Sequence, residues 1–70
     1  MTPAQIKEAR LSLGLTLDEM AYQLGYWGSG ARGQMHNVES GRRELRPPQI
    51  RLLQAYLSGF RPKDWPHKPE

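Results

Sequence analysis

The side chains with most to offer chemically lie in one stretch, GARGQMHNVESGRR, that follows a Gly/Ser-rich turn. At helical spacing Arg32, Gly33, His36 and Asn37 share an outward face with Gln34 on its flank, while Ala31, Met35 and Val38 take the opposite side. A guanidinium, two carboxamides and an imidazole on a short helix are suited to reading a surface by hydrogen bonds. The basic run RRELR follows at once and sets Arg42, Arg43 and Arg46 beside that face. Charge is skewed the same way: residues 1–31 hold Lys7 and Arg10 against Glu8, Asp18 and Glu19, whereas residues 32–70 hold eight basic and four acidic side chains. The positive field therefore falls on the second half of the chain, where DNA phosphates would be met.

Other chemistries fit this sequence poorly. His36 has no serine or paired carboxylate at an evident spacing and no metal-binding companion, so catalysis is not expected of it. With no cysteine, and His36 and His67 as the histidines, the chain lacks the ligands for a zinc staple or a disulfide framework. Gly28-Ser29-Gly30-Ala31-Arg32-Gly33 spells a G-x-G-x-x-G, but a dinucleotide site needs a preceding strand and a βαβ unit, for which this chain is too short. The aromatics Tyr26, Trp27, Tyr56, Phe60 and Trp65 suggest base stacking on single strands. Their places at helix ends and on an apolar stripe favour packing for Tyr56, Phe60 and Trp65, whereas the loop can expose Trp27.

Short helices must hold the polar face in place, and four glycines mark their ends: Gly14, Gly25, Gly41 and Gly59 each follow an apolar stretch of helical period. Thr2, Pro3 and Gln5 form a capping pattern for a first helix with Ile6, Ala9 and Leu13 on one face. TLDE, from Thr16, is a second capping box in which Glu19 reaches back and Asp18 favours the helix dipole; Leu17, Met20, Ala21 and Leu24 make the inward stripe. YWGSG holds too much glycine to continue that helix, and Ser29 or Gly30 is placed to cap a third, from Ala31 to Glu39. Two prolines, Pro47 and Pro48, suit the entry of a fourth, with Ile50, Leu53, Tyr56 and Leu57 on its apolar face and Leu52 alongside. The tail is expected to be irregular and pinned by Phe60 and Trp65.

The expected fold is all-α: a compact bundle of four short helices, with room for a one-turn fifth. Residues 1–60 form the helix-turn-helix domain and residues 61–70 a Pro-rich tail packed on the domain or on a dimer interface. Seventy residues permit one domain with a modest core. No apolar run approaches the roughly 20 residues of a membrane span, and MTPAQIKEAR has no apolar leader core, so a soluble, cytoplasmic protein without membrane contact is the default expectation.

The run LTLDEMAYQLG followed by NVESGRR resembles the Cro/C1-type (Xre-like) helix-turn-helix repressors of phages and bacteria, over roughly residues 4–60, with Ala21, Gly25, Glu39 and Gly41 at family positions. The ending YLSGFRPKDWP also resembles that of very short phage and plasmid regulators, including anti-CRISPR-associated autorepressors. The resemblance implies a lambda-repressor-like domain whose third helix enters the major groove. Arg32, Gly33 and Asn37 then correspond to base-facing positions, with Gln34 and His36 next in line and Met35 and Val38 as the buried pair. Arg32 would meet guanine and Asn37 adenine, each for ~1–3 kcal/mol of discrimination, while Arg42, Arg43 and Arg46 would clamp phosphates. The family further implies a structural pairing of Arg10 with Glu39. Two features depart from the pattern. Leu17 stands where the family commonly has a glutamine touching the DNA backbone, and the segment from Gly25 to Glu39 is longer than usual, which enlarges the turn with Trp27, Gly28 and Ser29. That turn either approaches phosphates, through Ser29, Trp27 and glycine amides, or only shapes the chain.

The expected function is sequence-specific repression through double-stranded DNA, often at the protein's own promoter, with no enzyme activity, cofactor, metal or small-molecule substrate. So small a chain offers few base contacts, and a homodimer doubles them across an inverted repeat with half-sites about one helical turn apart. Tyr56, Leu57, Phe60 and Trp65 are the expected dimer surface. The alternative is an antitoxin or adaptor that holds a partner protein through the same helices; nonspecific nucleic-acid binding is a further rival.

Overall fold

The structure is a computed structural model that describes residues 1–66, and among these it contains four helices and no strand: α1 (Pro3–Ser12), α2 (Leu17–Gln23), α3 (Ala31–Glu39) and α4 (Pro47–Leu57). Local hydrogen bonds account for the helix starts. At α1, Thr2 Oγ1 accepts from the Gln5 N–H at 3.1 Å and Gln5 Oε1 accepts from the Thr2 N–H at 2.8 Å, which satisfies two donors the helix leaves unpaired. Thr16 and Glu19 repeat the device at α2, at 3.2 and 2.9 Å. The start of α3 is different: Gly30 occupies the cap position and no side chain closes it, so Ser29 does not cap the helix. At α4 the prolines occupy the first turn, Gln49 Oε1 accepts from the Arg46 N–H at 2.8 Å, and Gln49 Nε2 donates to the Leu24 carbonyl at 2.9 Å. One glutamine thus ties the start of α4 to the end of α2.

Packing places α3 at the centre, with α1 and α2 both against it. Met20, Met35, Val38 and Leu53 are fully buried, Ile6, Ala9, Ala21, Ala31 and Tyr56 complete the helical part of the core, and Leu24 joins it from the cap of α2. Burial of each larger aliphatic side chain contributes about 1.5–3 kcal/mol, the main source of stability for so small a body. Leu15 and Leu45 fill the core from outside the helices, positions that helical periodicity does not mark. Gly25 (φ 89°) and Gly41 (φ 83°) end α2 and α3 in left-handed backbone that a Cβ would strain, and so they fix where the chain leaves each of these helices.

The tail forms no fifth helix among the described residues. Trp65 is its anchor: the ring lies 4.9 Å from that of Tyr56, and the Arg61 guanidinium sits 4.6 Å over it while donating to the Tyr56 carbonyl at 2.7 Å. Phe60, expected as a second anchor, is 54% exposed, because its ring only stacks beside Tyr56 at 6.0 Å. His67 and the rest of the tail to Glu70 lie outside the described residues. No helix among the described residues is long and apolar enough to cross a membrane.

Candidate functional site

α3 has one face committed to the core and one left to solvent. Ala31, Met35 and Val38 are buried, Arg32, Gly33 and His36 are exposed, and Gln34 and Asn37 lie half-buried at the border. This division follows the expected one. A clamp fixes the helix from behind: the Arg10 guanidinium on α1 donates to Glu39 through Nε at 2.7 Å and Nη2 at 3.3 Å, and through Nη1 to the Leu15 carbonyl at 3.0 Å. Both side chains are largely buried, so the two-bond geometry and the additional carbonyl offset much of their desolvation. The Arg10–Glu39 pairing implied by the resemblance is therefore present, and it removes the carboxylate at the end of α3 from the outward face.

The segment leaving α3 brings the arginines back toward it. The Asn37 carbonyl accepts from the Arg42 N–H at 2.9 Å, the Arg43 N–H at 3.2 Å and the Ser40 hydroxyl at 3.1 Å, which holds the turn tightly against the helix end. Arg42, Arg43 and Arg46 are all exposed. Arg43 folds across the flank of α3, donates to Gln34 Oε1 at 2.6 Å and lies 5.3 Å over the Tyr26 ring. The structure thus links three segments through one guanidinium: the turn before α3, α3 itself and the loop after it. Tyr26 and Arg43 form a contact that the sequence does not announce, because the residues are brought together by the fold and by no shared period.

The turn before α3 exposes Trp27 and Ser29. Trp27 is 73% exposed and makes an edge contact with Tyr22, ring centroids 4.8 Å apart. Because no side chain caps α3, the first-turn amides beside Arg32 and Gly33 form a positive helix end on the same side as these residues, a setting that favours an anion. Gly33 has no conformational need of its own: its φ lies outside the left-handed region, and a Cβ built on it meets nothing within 4 Å. Of the expected dimer residues, Leu57 (45%) and Phe60 (54%) are exposed and Trp65 is half-buried. Tyr56 is a core residue, 3% exposed, whose hydroxyl donates toward the carbonyl of Gln23 at 3.1 Å and its Oε1 at 3.2 Å. It has almost no surface to give a partner.

What the arrangement offers chemically is a rigid helix with an open polar face, an uncapped positive end and flanking arginines. Comparison with family models, with curated proteins and with solved structures gave no match.

Proposed function

We propose that the chain is a dimeric repressor that binds double-stranded DNA by sequence, with α2, the turn and α3 acting as a helix-turn-helix and α3 lying in the major groove. The observation that carries this reading is the two-sidedness of α3: its apolar side is fully used by the core, and its other side holds Arg32, Gly33 and His36 exposed, with Gln34 and Asn37 at the border. A major groove about 12 Å wide admits one helix, and bidentate groups such as a guanidinium and a carboxamide distinguish base pairs there. Arg32 and Asn37 carry base selection in this account, with Gln34 and His36 beside them. Arg42, Arg43, Arg46, Ser29 and the first-turn amides of α3 meet phosphates, which sets register and affinity but not sequence.

The test is the salt dependence of duplex binding. Each phosphate contact contributes about 0.9 to the slope of log affinity against log salt, so Arg42→Ala lowers the slope by about one and weakens all duplexes alike. Arg32→Ala is expected to flatten the preference between duplexes. Unchanged slopes and unchanged preference in both variants would remove DNA from the account.

A further inference from the structure

A groove of about 390 Å³ lies where the end of α2, the turn before α3, α4 and the tail meet, and the DNA reading makes no use of it. Tyr22, Trp27, Leu52 and Tyr56 contribute apolar walls. Gln23 also lines it. That side chain is 7% exposed, its Oε1 is taken by the Tyr56 hydroxyl at 3.2 Å, and its Nε2 has no hydrogen-bond partner among the described residues. A buried amide donor left unmatched is destabilising, so Gln23 marks the groove as a place for an occupant that brings a carbonyl oxygen.

The shape of the neighbouring surface identifies that occupant. Pro48, Leu52 and Tyr56 line the groove at intervals of four along α4, and beyond the helix, past Gly59 (φ 107°), the exposed Phe60 ring stacks on Tyr56 at 6.0 Å. The recess and a protruding apolar ring are thus neighbours through Tyr56. At the end of α4 the Gln54, Ala55 and Tyr56 carbonyls are taken by the N–H groups of Ser58, Phe60 and Gly59 and by Arg61, which leaves the Leu57 carbonyl as the acceptor with no partner among the described residues. Recess, knob, donor and acceptor close to one another are the elements of a self-complementary contact, in which each copy gives what the other lacks.

We propose that this groove receives Phe60 of a second copy of the chain, between Trp27 and Leu52, and that Gln23 Nε2 donates to a carbonyl at the end of the partner's α4. The proposal rests on the dimeric reading given above, and it moves Trp27 from the DNA surface to the contact between protomers. Sedimentation equilibrium of the full chain tests it, with circular dichroism to establish that each variant is folded. The wild type is expected at twice the chain mass. Trp27→Ala and Phe60→Ala each weaken the dimer by about tenfold or more, and the double variant is little worse than either single one, because the two side chains share one contact. Trp27→Ala that dimerises as the wild type does would overturn the groove contact. So would Trp27→Ala that stays dimeric but loses DNA affinity, which would return Trp27 to the DNA surface. A wild type that is monomeric and still selects a single half-site would overturn the contact and leave DNA recognition standing.

Discussion

Gly33 is the residue whose identity the isolated chain explains least. In a helix, glycine is less favourable than alanine by about 0.5–1 kcal/mol, and here neither backbone conformation nor crowding requires it. A partner that approaches the backbone of α3 closely supplies the missing reason, since a methyl group there would hold it off. Gly33→Ala is accordingly expected to raise the melting temperature by a few degrees and to weaken specific DNA binding. Thermal melts paired with duplex titrations check this, and a variant both more stable and equally tight would show that α3 is not approached at that point. Tyr56 gives a prediction of a different kind. Burial first, and the negative charge of Asp64 second, raise its hydroxyl above the ordinary tyrosine value. The unfolded chain ionises at lower pH than the folded one, so the stabilisation is complete below about pH 10 and is lost as pH rises from there through the folded value. Urea unfolding across that range is expected to show an alkaline loss that Tyr56→Phe reduces, at the expense of about 1 kcal/mol at neutral pH for the hydrogen bond to Gln23.

Among the elements, those governed by short-range rules were legible in the sequence. Both threonine capping boxes, the prolines that open α4 and the bounds of α3 follow from residues within one turn of each other. What joins elements was less legible. Gln49 reaches the Leu24 carbonyl and Tyr56 reaches Gln23 across long stretches of chain, and Leu15 and Leu45 enter the core from loops, so no period in the sequence points to them. The choice between Ser29 and Gly30 at the head of α3 was open because both are good cap residues; the structure puts Gly30 there and leaves the helix end uncovered. The outward residues of α3 could be read from helical spacing, but the attachment of Arg43 to Gln34 and Tyr26 could not. The Arg10–Glu39 clamp came from resemblance to a family, and its geometry explains how α3 is aimed. Glu39→Ala leaves a largely buried guanidinium without its counter-charge, and the expected loss of stability is about 3 kcal/mol or more. A denaturant titration measures it; a loss below about 1 kcal/mol would mean that packing alone orients α3.

At the scale of the whole molecule, the chain presents a polar helix face with arginines on its flanks and, elsewhere, an apolar surface around Trp27, Leu57 and Phe60. Exposed apolar side chains that gather around a groove mark an interaction surface, and Trp27 lines one here. A two-fold pair would use the apolar surface for itself and present two copies of α3 to one duplex, which doubles the base contacts and imposes the symmetry of the dimer on the site. The most direct measurement is selection of binding sites from a pool of random duplexes at about 150 mM salt, where nonspecific attraction is already weakened. A dimeric helix-turn-helix repressor is expected to enrich an inverted repeat whose half-sites are about one helical turn apart. A folded protein that enriches no sequence would contradict it, and the exposed faces of this molecule would then belong to a protein partner.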